Sequence, residues 1–338
     1  MNMNEKKKLM NRFIRDNYLP IKTCIGLDYS FACLKSYDNL MGTNYLMKWG
    51  LLCDFVERKW DSDVESYLEQ YNRVIQDVVN AIQSNKQYSV FKDSKVEIER
   101  PKVGESSVYK ETNIGKYFLS LDIKQANYSV MKKEGIFKEE DWQQFISKYT
   151  KIPEIINSKY MRQVILGQCN PKKQGQYELK HMIQIYDMVN KVFNYSHAKV
   201  GYNIVSLTND EIVLELLEPE RDIHNVYANA TTICAYSMRE LGIPMHWCVY
   251  KLVSVAIDKK PEGCGMTNGY CRKIFKADEK GKQYDFKDVS KRMYSLLYAV
   301  NEGRPPIKED YLIETDYGIA ELKGLPTIKT DWLREIKS

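Results

Sequence analysis

The chain has 338 residues, enough for one large domain or two to three modest ones. Hydrophobic residues at 43% and charged residues at 28% describe an ordinary soluble globular protein, and no apolar run is long enough to cross a membrane. A net charge of +5 is too mild to mark a nucleic-acid partner by bulk charge, so such a partner must rest on local patches.

In chain order, residues 1–22 carry a basic cluster, Lys6, Lys7 and Lys8 with Arg12 and Arg15, which is either a solvated terminus or a grip on a phosphate backbone. The run TCIGLDY at 23–29 reads as a short strand ending on Asp28. Ser62 with Glu65 has the form of a capping box, and Val64, Tyr67, Leu68, Tyr71, Val74, Ile75, Val78 and Ile82 trace a helical stripe behind it. With 41–58, this predicts a helical module over 1–92. Residues 84–115 turn polar, with Pro101 and Gly104 as breakers, and predict a hairpin. An apolar strand over 117–121 ends on Asp122, and a segment of helical spacing follows it.

Residues 137–149 predict a helix with Trp142, Phe145, Ile146 and Tyr149 inward. Pro153 suits a helix start; Lys159, Arg162 or Gln163, and Leu166 recur on one face, and Gly167 with Asn170-Pro171 ends the helix. A second helix follows over 178–193. Two β-rich runs, 203–208 and 212–216, flank Asn209-Asp210-Glu211 and predict a tight hairpin. Residues 218–241 read as an amphipathic helix, and Gly242-Ile243-Pro244-Met245 leads into a strand. Beyond 258, a Gly-rich loop precedes Arg272, Lys273, Lys276, Lys280 and Lys282 with Tyr270 and Phe275 interleaved, the footprint either of strand binding or of a surface loop. A helix over 289–300 and a hairpin over 311–322 close the chain.

The chemistry gathers where strands give out. Asp122 and the Asp210-Glu211 pair are carboxylates at strand ends, and carboxylates held together repel unless a cation or strong donor lies between them. Two such groups on neighbouring strands can hold two divalent ions in the arrangement used for in-line phosphoryl displacement. A helix face with Lys159 and Arg162 supplies the opposite charge that a triphosphate needs. Eight cysteines without a CxxC pair point to free thiols in a reducing, cytoplasmic compartment, and four unclustered histidines give histidine catalysis no support.

Taken in order, these pieces resemble a known family. LDIKQANYSVM around Asp122 resembles motif A of the family A (polymerase I-like) nucleic-acid polymerases, written D-Y-S-Q-I-E-x-R. KYMRQVILGQ is similar to motif B, R-x-x-x-K-x-x-x-x-G, and LTNDEIVLEL to motif C, V-H-D-E-I-V-x-E. The likeness runs from about 116 to 252 and includes the helix and G-I-P-M strand after motif C. Asp28 superficially echoes motif A and is the rival metal ligand, ranked below Asp122 because no fingers-like helix follows it before the later motifs.

The resemblance implies an α+β fold: a polymerase palm with an antiparallel sheet, reduced fingers and a thumb-like helical module. Its parts would be 1–92 (thumb-like), 93–131 and 196–257 (palm), 132–195 (fingers) and 258–338 (extension). It implies two magnesium ions (or manganese in their place) on Asp122 and Asp210, with Glu211 beside them as the third catalytic acid. Lys159 and Arg162 would meet the triphosphate, and Gln125, Asn127 and Leu166 would complete the nucleotide site. Several positions depart from the pattern. Arg162 stands at the motif B lysine, Leu166 at an aromatic, Asn127 at the glutamate that rejects ribose, Asn209 at the motif C histidine, and Asn170 at a tyrosine near the template. The function so implied is a small template-directed DNA polymerase without a proofreading exonuclease, viral or from a mobile element, working on a primer–template and nucleoside triphosphates. The alternatives are an RNA polymerase, primase or terminal transferase on the same palm, or a nucleic-acid-binding relative that has lost catalysis.

Overall fold

The computed structural model describes residues 1–103, 108–195, 200–255, 269–275, 283–287, 294–315 and 318–321. Five helices open the chain: α1 (Met3–Asp16), α2 (Leu27–Met41), α3 (Tyr45–Trp60), α4 (Val64–Gln83) and α5 (Lys86–Asp93). The strand expected over 23–29 is absent; Asp28 is exposed in the first turn of α2, where a carboxylate suits the positive end of the helix. The reason lies downstream: Cys33, Leu34 and Leu40 are buried at helical spacing, and Ser30 Oγ donates to the carbonyls of Gly26 and Lys22 at the helix start. The expected cap of α4 moves by one residue. Ser62 takes the left-handed conformation (φ 70°), and the Asp63 carboxylate accepts from the Ser66 amide at 3.1 Å.

The hairpin expected over 84–115 is also replaced. Asn85 caps α5, a stretch without strand follows among the described residues, and the only other element there is a single 3-10 turn at Glu111–Asn113. Strand β1 (Tyr117–Ile123) then leads into α6 (Ala126–Lys133), the short α7 (Trp142–Ile146), α8 (Pro153–Ile156), α9 (Lys159–Gly167) and α10 (Pro171–Tyr195). The segment expected as one helix from Pro153 is broken because the Ser158 side chain caps a new helix, accepting from the Met161 amide at 3.0 Å. Helix α10 starts on Pro171, earlier than the expected 178, since proline is at ease at a first helical position.

Hairpin β2 (Tyr202–Leu207) and β3 (Glu211–Leu216) follows, then α11 (Pro219–Tyr236), whose last turn widens to a π-type turn, Ser237–Leu241, ended by left-handed Gly242. Strands β4 (Met245–Val255), β5 (Gly269–Phe275) and β6 (Gln283–Lys287), helices α12 (Tyr294–Glu302) and α13 (Lys308–Tyr311), and the hairpin β7 (Leu312–Thr315) and β8 (Gly318–Glu321) complete the described chain. The molecule is α+β, with a six-stranded antiparallel sheet in the order β2-β3-β1-β4-β5-β6. Strands β5 and β6 thus continue the main sheet, although the sequence placed them in a separate extension.

Alternation along β1 divides the sheet. Leu119, Leu121 and Ile123 face a large core shared with the helices, while Phe118 lies with Val108, Val213, Tyr250 and Leu252 in a smaller cluster on the other face. Ser120 and Asp122 share the face of Phe118. A buried polar knot ties the N-terminal helices to α9. Asp16 Oδ1 accepts from Arg12 Nε (3.0 Å), the Tyr71 hydroxyl (2.7 Å) and the Ser158 hydroxyl (3.1 Å). No helix among the described residues is long and apolar enough to cross a membrane, and Cys24, Cys33, Cys53, Cys169, Cys234, Cys248 and Cys271 are free thiols.

Candidate active site

Asp122 occupies the last turn of pleat before β1 ends, opposite Glu211 on β3 and His246 on β4. The β2–β3 tip is fixed by Thr208. Its amide donates to the Glu211 carbonyl (2.9 Å), its hydroxyl accepts from the Glu211 amide (3.0 Å) and donates to Asp210 Oδ1 (3.2 Å). The tip is in turn tied to β1, because the Ile123 amide donates to the Asp210 carbonyl at 3.0 Å. Asp122 is therefore brought to the same corner of the sheet as the adjacent Asp210 and Glu211, which lie far from it in sequence.

The electrostatic consequence falls on Asp122. Burial, then the charges of Asp210 and Glu211, push its carboxyl up to about 7, against the opposing pull of Arg272 and Lys159. Glu211 is engaged otherwise. It accepts from Ser120 Oγ at 2.5 Å and lies 3.6 Å from Arg272 Nη1. The Arg272 guanidinium sits between two rings, its centre 5.7 Å from Tyr109 and 4.9 Å from Tyr250. Arg272, expected in a stretch that is either strand-binding or a surface loop, is held in the sheet 3.6 Å from Glu211 and 3.8 Å from Asp285; Lys276, Lys280 and Lys282 lie outside the described residues.

Among the described residues, no set of three or more His, Cys, Asp or Glu side chains is grouped closely enough to hold one metal ion. Were a divalent cation to bind at this corner, Asp122 and Asp210 would be the carboxylates to take it, and its charge would relieve a carboxyl that burial first, and then Asp210 and Glu211, push up. Glu211, bound to Ser120 and facing Arg272, does not fit as a third ligand in this geometry.

The other expected residues divide. Lys159 is exposed at the start of α9, near enough for its charge to act on Asp122. Arg162 is partly buried without an acidic partner among the described residues, and burial lowers its pKa. Gln125, with left-handed backbone (φ 49°), accepts from the Trp142 amide and donates to Gln143, joining β1's exit to α7. Asn127 Nδ2 donates to Gln174 Oε1 at 2.7 Å; Gln174 is fully buried and donates in turn to the carbonyls of Leu166 and Cys169. The Leu166 side chain is 1% exposed within the core and offers no face to a nucleotide.

The sequence reading passed over Glu178. It lies on α10, three residues after Gly175, where a Cβ would stand 3.0 Å from Asn209 Nδ2 at the hairpin tip. Glu178 is 7% exposed, its Oε1 has no hydrogen-bond partner, and burial with the Asp210 charge pushes it up to about 7. The available signal was an acid close after a glycine in a long helix, on a face where Gln174 and His181 are buried too. Comparison of the sequence with protein-family models and with curated proteins finds no match.

Proposed function

We propose that the chain is a magnesium-dependent nucleotidyltransferase, in the first instance a small template-directed DNA polymerase. The observation that carries this reading is the meeting of Asp122, Asp210 and Glu211 at one sheet corner, with the cationic start of α9 in electrostatic reach. Asp122 and Asp210 would hold the divalent ions, which when bound lower the pKa of an attacking hydroxyl and offset charge on a phosphoryl group. Glu211 holds Arg272 and Ser120 in place behind that pair. Lys159 and Arg162 meet the negative charge of a triphosphate and of departing pyrophosphate, a task in which positioned cations lower the barrier without moving protons. Arg162 suits it as a permanently charged fork that lacks an acid of its own.

Asn127 bears on the choice of sugar. Its amide is spent on Gln174, so it braces α6 against α10 and leaves the position without the acid that would exclude a ribose. That observation favours a second reading, an enzyme on the same scaffold that accepts ribonucleotides. Extension of a labelled primer with separate dNTP and rNTP sets, with and without template, tests both. Extension with rNTPs alone selects the second reading, and no incorporation of either kind removes both.

A further inference from the structure

A cavity of about 620 Å³ lies between α1, the 17–23 connection and the first turn of α9, and the proposed chemistry makes no use of it. Its floor is apolar, from Ile14, Leu19 and Ile21. Two tyrosines flank it, Tyr18 and Tyr160, with ring centroids 5.9 Å apart and planes tilted by 54°. Arg15 and Lys22 line it, and Lys159 Nζ stands 5.8 Å from the Tyr18 ring centroid. None of the lining residues is acidic; Asp16, the nearest acid along α1, is turned into the knot with Arg12, Tyr71 and Ser158.

Asn11 also lines the cavity, although its Oδ1 is buried away from solvent. Lys22 is 9% exposed and donates to the Asp310 carbonyl at 3.0 Å; burial lowers its pKa and the nearby Asp310 charge opposes that. Tyr18 is held with φ 53°, a left-handed conformation uncommon for a bulky residue, and its ring is 39% exposed at the cavity mouth.

Aromatic faces, an apolar floor and an exposed arginine with no acid among the lining residues are complementary to a single chemical class. We infer that this cavity binds a nucleotide: the base against Tyr18 and Tyr160, and the phosphate toward Arg15. Its size falls in the range of small-ligand sites, and base stacking on tyrosine tolerates either a free nucleotide or one unit of a single strand. Lys159 at its edge also serves the proposed transfer, but Arg15 and Tyr18 do not and the site requires no metal, so variants at those two residues test it apart from the nucleotidyltransferase reading.

The test is binding in EDTA, on an Asp210→Asn background, which silences the metal-dependent site. Calorimetry with dAMP and anisotropy with a fluorescein-labelled oligodeoxyadenylate are run on the full chain and on Arg15→Gln and Tyr18→Asn. Both substitutions sit at exposed positions, and asparagine accepts the left-handed backbone at 18. Each is expected to weaken binding by roughly tenfold. Loss with both probes assigns the cavity to nucleotides in either form; loss with the oligonucleotide alone assigns it to a strand, and with dAMP alone to the free nucleotide. Photolabelling with 8-azido-dAMP is expected on the peptide carrying Tyr18 or Tyr160. Absence of binding, or binding unchanged in both variants with labelling elsewhere, overturns the inference.

Discussion

Asp122 lies directly opposite Glu211 across the β1–β3 ladder, on the face of the sheet turned away from the main core. That register, with the Ile123 amide bound to the Asp210 carbonyl, forces acids remote in sequence into one field. The stability of the molecule must feel it.

An aspartate in an unfolded chain titrates near about 4, whereas Asp122 in the fold is pushed up to about 7. The folded state keeps a proton that the unfolded state has lost, so this group's contribution falls as pH rises from about 4 to about 7. Metal-free Asp122→Asn should therefore melt above the unsubstituted protein near pH 8, by roughly 2–4 °C, with the gap narrowing near pH 5. Millimolar magnesium should raise the melting temperature of the unsubstituted protein near pH 8 and leave the variant almost unmoved. A gap of equal size at both pH values contradicts the assignment.

Glu178 extends the same logic to α10. It too is pushed up to about 7, by burial and then by Asp210, and it has an unpartnered oxygen. Glu178→Gln should raise the metal-free melting temperature near pH 8 and change it little near pH 5, as read by circular dichroism. If the substitution lowers stability at both pH values, the carboxylate is making a contact that glutamine cannot replace.

Ser158 does two things with one hydroxyl: it donates to Asp16 and caps α9 by accepting from Met161. Ser158→Ala should cost about 1–3 kcal/mol in urea denaturation, the loss of a cap plus an under-satisfied buried carboxylate. Because α9 carries Lys159 and Arg162, the same variant should also raise the KM for nucleotide. A stability change below the error of the measurement would show that the knot is dispensable.

Leu166 provides a contrast. Its side chain is buried, so Leu166→Ala should destabilise by about 2–5 kcal/mol through a cavity, while the protein that remains folded binds nucleotide as before. Weaker nucleotide affinity at unchanged stability would place Leu166 in the nucleotide site instead.

Much of this fold can be read from the chain itself. The hairpin around Asn209-Asp210-Glu211, strand β1 ending near Asp122, and the strand after Gly242 are apolar runs bounded by turn or breaker residues, and the structure has strands at those places. The failures have local causes. Asp28 sits in a short β-rich run that a longer helical stripe overrides, and Ser158, a polar residue inside an expected helix, is the point where that helix stops and another begins. Arg272 and Glu178 were illegible for a different reason. The first needed the β4–β5 register to place it between Tyr109 and Tyr250, and the second needed the approach of Gly175 to Asn209. Asn127 and Gln125 have side chains whose amides are committed to neighbouring elements, which no spacing rule reveals.

The central claim is that Asp122 and Asp210 together hold the divalent cations of a nucleotidyl transfer. The most direct measurement is single-turnover incorporation of a labelled nucleotide onto a primer in magnesium, for the unsubstituted protein, Asp122→Asn and Asp210→Asn. The account predicts incorporation that requires the metal and falls by at least about a thousandfold in either variant, the scale at which losing a metal ligand removes the electrostatic stabilisation of transfer, with primer binding preserved. Incorporation at the unsubstituted rate in either variant would contradict it.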